Sequence, residues 1–370
     1  MGVYEALGVR PVINARGTLT ALGGSVMDPA VVAAMAEAAT AFVDLPDLHR
    51  RAGRRIADLL GVEAACVTSG AAAGLTIATA ALMARDRIEA VLALPDTTGL
   101  PDEVVVLKAH RMLYDQAVLV AGARFVEVGV ASAARIEQVD AAITDNTACL
   151  FYAAESADTR GSLPLAALAE CAHARGVPVL VDAAAEIPPP DNLRRFLDEG
   201  ADLVVVSGGK ELAGPQSSGL IIGDRRLIDF CHANSFPEHS IGRGMKTDKE
   251  TIAGLVKAVE LWVARDYSVI FDRWESLVAQ VLDALAGLPG VTAERGFPTE
   301  PGIQPIVIPR AYVSQAGRPA AELRDALLEH DPPIAVGIEQ DRLAINPQCL
   351  RDDELPTLLA ALTALLRPPR

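Results

Sequence analysis

The chain has 370 residues, 51% of them hydrophobic and 22% charged, and a formal net charge of −15. That length suits one large core and one smaller one, so two domains are expected. The acidic balance and an aromatic content of 4% argue against a nucleic-acid partner, which calls for clustered Lys and Arg or for stacking rings. No apolar run approaches the roughly 20 residues of a membrane span, and Met1-Gly2-Val3-Tyr4-Glu5 lacks the basic start and apolar stretch of a signal peptide. No membrane association is expected, and the expected compartment is the cytoplasm. The five cysteines are scattered and odd in number, which fits free thiols in a reducing compartment. Cys171 and His173 diverge on a helix and no second pair completes a site, so no metal is expected.

In chain order, short apolar and β-branched runs alternate with helical segments. The expected strands are Ala64 to Thr68, Ala90 to Leu94, Val104 to Leu107, Phe125 to Val128, Ala148 to Ala153, Val177 to Asp182, Leu203 to Ser207 and Gly219 to Ile222. Such alternation predicts an α/β fold whose mostly parallel sheet, of seven strands or so, is covered on both faces. The helix from Pro164 to Arg175 begins on proline, ends before Gly176 and turns Leu165, Leu168, Ala169 and Ala172 to one side. The basic cluster from His49 to Arg55 reads as a solvated helix face or a subunit contact. After about residue 250 the pattern changes to long amphipathic helices (Lys249 to Ala264, Ile270 to Ala286), extended runs (Ile303 to Ile308, Leu343 to Ile345) and a helix from Asp353. The expected domains are therefore 1–250, the large domain with its amino-terminal segment, and 251–370, a smaller α+β domain.

Three segments carry the chemistry. Val204-Val205-Val206-Ser207-Gly208-Gly209-Lys210 runs a buried strand into a lysine, a costly choice unless the amine is used. Burial lowers the lysine pKa and frees the neutral amine for Schiff-base formation with a carbonyl cofactor. Val177 to Asp182 ends in a carboxylate at the strand edge where open α/β sheets bind ligands. Asp182 there is suited to hold a pyridinium proton, and equally to cap a helix or ligate Mg²⁺. Val67-Thr68-Ser69-Gly70-Ala71-Ala72-Ala73-Gly74 opens a strand into a helix through small residues, which lets backbone N–H groups approach a phosphate. Lysine, aspartate and phosphate turn on three strand ends are the anchors that pyridoxal 5'-phosphate requires. The same turn lacks the G-x-G-x-x-G and G-K-S/T spacings of nucleotide sites.

The run S-G-G-K-E-L-A-G-P-Q-S-S-G resembles the lysine segment of the selenocysteine synthase-like branch of fold-type I pyridoxal-phosphate enzymes. R-P-V-I-N-A-R-G-T-L-T-A-L-G-G, P-V-L-V-D-A-A-A-E and D-P-P-I-A-V-G-I-E-Q-D-R-L-A-I-N-P are similar to the same branch, so the resemblance spans nearly the whole chain. It implies the fold-type I transferase fold, with Lys210 forming the internal Schiff base and Asp182 facing the pyridine nitrogen. Ser69, Gly70 and Ala71 would hold the phosphate, Ser207 would add a hydroxyl, and His110 would lie where the family packs against the cofactor ring. Relatives that act on seryl-tRNA carry an additional amino-terminal domain ahead of the I-N-A-T-G type motif, which begins here by residue 10. The smaller bacterial members, similar to D-glucosaminate-6-phosphate ammonia-lyases, are the nearer comparison and point to a small amino acid substrate.

The resemblance fails at Gly337, where relatives often carry an arginine suited to a substrate carboxylate. Arg16, Arg342 and Arg310 are candidate replacements, and Arg243 with Lys246 resembles a basic pair that faces the family's active site. The expected reaction is α,β-elimination of a small hydroxy amino acid or amino sugar acid to a 2-oxo acid and ammonia, with the freed Lys210 amine as base. Racemisation or epimerisation, transamination and a non-catalytic cofactor-binding paralogue stay open. The family also implies a homodimer or larger homo-oligomer with shared sites.

Overall fold

The computed structural model describes residues 2–299 and 305–367, in which twelve strands form two sheets. In chain order they are β1 (Ile13–Ala15), β2 (Ala64–Thr68), β3 (Glu103–Leu107), β4 (Arg124–Val128), β5 (Thr147–Ala153), β6 (Val179–Asp182), β7 (Leu203–Ser207), β8 (Gly219–Gly223), β9 (Val291–Gly296), β10 (Arg310–Gln315), β11 (Ile334–Glu339) and β12 (Arg342–Ile345). The chain divides into two compact units, residues 27–265 and residues 1–26 with 266–370.

The larger unit holds a seven-stranded sheet in the order β2-β8-β7-β6-β5-β3-β4. β8 alone runs antiparallel to its neighbours, so the carboxyl ends of the other six strands share one edge. β5 is buried at every residue, as its unbroken apolar sequence demands of a strand covered on both faces. The helix Ala71–Ala84 shows the same logic: apolar on all sides, it is buried from Ala73 onward. By contrast the helix Leu45–Leu60 buries His49, Ala52, Gly53, Ile56, Ala57 and Leu60, and presents Arg50, Arg51, Arg54 and Arg55 to solvent. The basic cluster is thus an exposed face, with Arg51 paired to Asp47 at 2.6 Å and Arg55 to Glu260 at 3.0 Å.

The smaller unit carries the sheet β1-β11-β12-β10-β9, antiparallel except where β1 pairs parallel to β11. Its core joins Leu277 and Val281 to Leu323, Val336, Leu343 and Leu358. The division differs from the expected boundary at residue 250 in two ways. Residues up to 26 belong with the carboxyl-terminal unit because Ile13, Asn14 and Ala15 pair with Ile334, Ala335 and Val336. The helix Lys249–Val263 belongs to the larger unit, where its Gly254 lies against Met35 and Pro215 with no room for a Cβ.

Two expected strands are corrected. Ala90 to Leu94 lies mostly within a helix, Ile88–Ala93, since so short an apolar run does not separate the two periods and Ala, Leu and Glu favour helix. Of the run from Ile303 to Ile308, residues 303 and 304 lie outside the described residues, and a turn occupies 306–308 before β10 begins at Arg310. Pro305 and Pro309 bracket that turn, and neither offers an N–H to a ladder.

Three histidines of the larger unit, His49, His110 and His232, are held neutral, burial pushing each down to about 4. An unfolded chain protonates them near 6.5, so the folded state loses stability as pH falls from about 6.5 to 4. Buried carboxylates with raised values act in the opposite direction over an overlapping range, so a substitution is needed to isolate the effect. His232→Asn is expected to reduce the pH slope of the urea-unfolding free energy in that window by one proton's share, about 1.4 kcal/mol per pH unit.

Candidate active site

The ends of β2, β3, β5, β6 and β7 bring the candidate residues to one edge of the seven-stranded sheet. Ala153 of β5 is the register partner of Asp182, and Asp182 of Val205. Gly219, the first residue of β8, pairs with both Thr68 and Ser207. Two strand spacings therefore separate Ser207 from the turn after β2, about 10 Å.

That turn is built for an anion. Thr68 Oγ1 donates to the Gly70 carbonyl at 2.9 Å, and Gly70, at φ 125°, precedes the helix Ala71–Ala84. No side chain caps this helix, so its first N–H groups and the positive end of its dipole are left for a ligand. A Cβ on Gly70 would meet nothing within 4 Å, whereas one on Gly219 would lie 2.6 Å from the Gly70 carbonyl carbon. The space lies on the outer side of the turn, and Gly219 lets the turn sit flush against the sheet.

Lys210 follows β7 through Gly208 and Gly209, in a loop that folds back so that a Cβ on Gly209 would lie 2.6 Å from Gln216 Cα. The Gly208 N–H donates to the Ser218 carbonyl, and the Gly214 N–H to that of Gly208, both at 2.9 Å. Lys210 is mostly buried and its amine makes no hydrogen bond among the described residues. Burial pushes its pKa down, while Asp182, Glu155 and Glu186 pull the other way. Asp182 is 8% exposed and accepts one hydrogen bond, from the Ala184 N–H at 3.0 Å. Burial raises its pKa, so a cationic N–H donor is what it lacks to remain charged. An uncapped helix, a carboxylate short of a cationic donor and an unbonded buried amine fit the phosphate, the pyridine nitrogen and the aldehyde of pyridoxal phosphate.

His110 closes the row from the end of β3. Its Nδ1 accepts the Ala153 N–H at 3.1 Å, so the neutral ring carries its proton on Nε2 and donates it to Ser162 Oγ at 2.8 Å. Both nitrogens are thus engaged inside the protein, and the Tyr152 ring stands edge-on at 4.6 Å between centroids. The ring is fully buried, so His110, expected to pack against a cofactor, has here neither a face open to a ligand nor a nitrogen left to move a proton.

The basic candidates are placed less centrally. Arg243 is exposed with its guanidinium 5.1 Å from the Phe236 centroid, and Lys246 is exposed; neither forms an ion pair among the described residues. Arg16 and Arg342 belong to the smaller unit. Arg16 is exposed, while Arg342 is committed to Glu294 and lies over the Tyr312 ring at 4.4 Å. Arg310 is buried and donates to the Ile308 carbonyl at 2.9 Å. Gly337 is not imposed by packing, since a Cβ there would meet its nearest atom at 3.4 Å, an ordinary contact.

Two residues beside Lys210 were not singled out from the sequence, Glu155 just after β5 and Glu186 four residues after Asp182. Glu186 is 7% exposed and its carboxyl makes no hydrogen bond among the described residues. Burial, then Asp182 and Glu155, push it up to about 8. Glu155 is half-buried and raised by burial and by Asp182. The run D-A-A-A-E contained the signal, a charge kept in an otherwise apolar turn.

Among the described residues no group of three or more His, Cys, Asp or Glu could hold a metal ion, and no helix is long and apolar enough to cross a membrane. Comparison with known proteins supplies the family context. Residues 12–271 match the family described as SelA, L-seryl-tRNA selenium transferase. A 5'-C-glycyluridine monooxygenase-decarboxylase from Streptomyces sp is 35% identical, over 98% of this chain and 92% of its own. A D-glucosaminate-6-phosphate ammonia lyase from Salmonella typhimurium is 36% identical, over 77% of this chain and 76% of its own. The solved structure of a D-glucosaminate-6-phosphate ammonia-lyase superposes with a TM-score of 0.86 at 30% identity, covering 99% of this chain and 98% of that one. A serine palmitoyltransferase from S. paucimobilis, at 15% identity and a TM-score of 0.61, shares the fold.

Proposed function

For a chain that belongs to the L-seryl-tRNA selenium transferase family of pyridoxal-phosphate enzymes, as this one does, we propose an ammonia-lyase that eliminates the β-hydroxyl of a small hydroxy amino acid or amino sugar acid. One observation carries the reading most directly: the mostly buried, unbonded Lys210 amine beside the under-partnered Asp182 carboxylate. Similarity to the Salmonella typhimurium lyase and to the solved ammonia-lyase structure supports the choice of reaction.

The first turn of the helix Ala71–Ala84, reached through Ser69, Gly70 and Ala71, would hold the phosphate, with the Ser207 hydroxyl beside it. Asp182 would keep the pyridine nitrogen protonated. When bound, pyridoxal phosphate withdraws electrons and makes the Cα–H of a linked amino acid acidic. Burial lowers the Lys210 pKa and so favours the neutral amine, the form that can take that proton. Burial of Asp182 and Glu186 excludes water from the carboxylates around it. For the substrate carboxylate, Arg243 and Lys246 are the candidate cations of this unit, exposed and without an ion pair among the described residues; Arg342 is taken by Glu294.

Supplied with D-glucosaminate 6-phosphate and with the serine and threonine enantiomers, the holoenzyme is expected to release ammonium and a 2-oxo acid in equal amounts. Unchanged substrate throughout would sink the reading. The Streptomyces relative, whose similarity covers 98% of this chain, favours a second reading in which an amino acid is oxidised and decarboxylated. Oxygen uptake with carbon dioxide release marks that outcome, and ammonium release without oxygen uptake marks the first.

Gly219→Ala probes the phosphate turn. Its Cβ would displace Gly70, and the expected result is at least about a tenfold weaker cofactor affinity by equilibrium titration, roughly the loss of one hydrogen bond to a charged group. That none of the five cysteines forms a disulfide supports a reducing, cytoplasmic setting. Fully exposed Phe42 and Leu113, with half-exposed Val43 and Tyr114, support a homodimer that covers them; the acidic charge supports a small-molecule substrate and no nucleic-acid partner.

A further inference from the structure

We propose that Glu186 donates the proton with which the β-hydroxyl leaves as water. The inference rests on the lyase reading and adds to it the acid that a hydroxide leaving group requires. Lys210 would serve the Cα–H, Asp182 would be engaged by the ring nitrogen, and His110 has no free nitrogen, so none of these supplies the second proton.

Glu186 sits in the turn that follows β6, drawn inward where Asn192 Nδ2 donates to its carbonyl at 2.6 Å and its own N–H reaches the Ala183 carbonyl at 3.3 Å. The carboxyl has no hydrogen-bond partner among the described residues although the residue is 7% exposed. The charged groups that act on it are Asp182 and Glu155 from the ends of β6 and β5, Lys210 from the loop after β7, and Arg195 from the helix Asn192–Asp198. Arg195 is itself within 3.5 Å of Glu199 and stacks on Phe196 at 4.7 Å. Burial first, then the two neighbouring carboxylates, outweigh the cations and push the group up to about 8. A carboxylic acid that holds its proton at neutral pH and can release it is what general acid catalysis needs.

The step balances without an oxidant or reductant. The Cα–H proton passes to Lys210 Nζ, and the C–H electron pair forms the Cα=Cβ bond. The Cβ–O bond breaks with its pair on oxygen, which takes the Glu186 proton and leaves as water. Lys210 returns its proton to Cβ as the enamine becomes an imine, and hydrolysis of the imine gives the 2-oxo acid and ammonium. The proton shed by the substrate ammonium on binding restores Glu186.

Glu186→Gln keeps the shape and removes the proton. In infrared difference spectra of the holoenzyme taken below and above pH 8, a protonated carboxyl band that disappears on raising the pH is expected. It should be absent in Glu186→Gln. Turnover is read on both enantiomers of serine and of β-chloroalanine, whose chloride leaves without a proton. Glu186→Gln is expected to lose about a hundredfold on serine and less than about threefold on β-chloroalanine. Absence of the band, or equal losses on the two substrates, overturns the proposal. A wild-type holoenzyme that turns over neither substrate overturns the lyase reading instead, and the donor role falls with it even where the band is seen.

Discussion

Lys210→Ala is expected to abolish the visible absorbance of the purified holoenzyme and to lower turnover by at least about a thousandfold, the upper part of the range for loss of a proton-transfer group. The amine at 210 has two tasks that no neighbour can assume. It is mostly buried, makes no hydrogen bond among the described residues, and burial favours its neutral, nucleophilic form. Lys210→Arg separates those tasks from charge. It retains a cation beside Asp182, Glu155 and Glu186, yet guanidinium does not deprotonate and cannot condense with an aldehyde. Both variants should therefore be colourless and inactive, with Lys210→Arg retaining more of the wild-type stability because the carboxylates keep a counter-charge. Wild-type colour in either would remove Lys210 from the centre of the site.

The second large effect is at Asp182. Asp182→Asn preserves the shape and the hydrogen bond accepted from the Ala184 N–H, so the protein should fold and still link the cofactor to Lys210. It cannot stabilise a protonated pyridine nitrogen, and turnover is expected to fall about a hundredfold or more. Stability should change in the opposite sense. Burial raises the Asp182 pKa, which means that the ionised form is held at a cost in the absence of a cationic partner. The apo-protein of Asp182→Asn should accordingly melt no lower than wild type, while the increase in Tm on adding pyridoxal phosphate should shrink. Differential scanning calorimetry of both proteins, with and without cofactor, checks this. An undiminished increase would place the carboxylate's role elsewhere.

Much of this site was legible in the amino-acid sequence because its anchors lie where strand periodicity ends. Lys210 closes an apolar run through two glycines, Asp182 closes another, and Ser69, Gly70 and Ala71 join a strand to a helix; each position breaks a local rule. Glu155 and Glu186 escaped notice because their burial is not local. Glu186 is enclosed only when the turn after β6 folds back to Asn192, and a glutamate in a proline-rich turn otherwise reads as a solvated charge. His110 was visible as a candidate, but its hydrogen bonds to Ala153 and Ser162 depend on a parallel sheet and a distant loop meeting at one ring. The fold class followed from the alternation of strands and helices. The differences have physical causes: five apolar residues at Ala90 to Leu94 serve either period, and residues up to 26 join the carboxyl-terminal unit because β1 finds its partner in β11 near the far end of the chain. Arg342 is taken by Glu294, a partner that strand pairing alone brings to it.

The most direct test of the account is to reduce the holoenzyme with borohydride, digest it and locate the pyridoxyl group by peptide mass spectrometry. The account predicts the modification on Lys210 alone. A pyridoxyl group on Lys246, Lys249 or Lys257 instead, or none on a fully reconstituted protein, would contradict it.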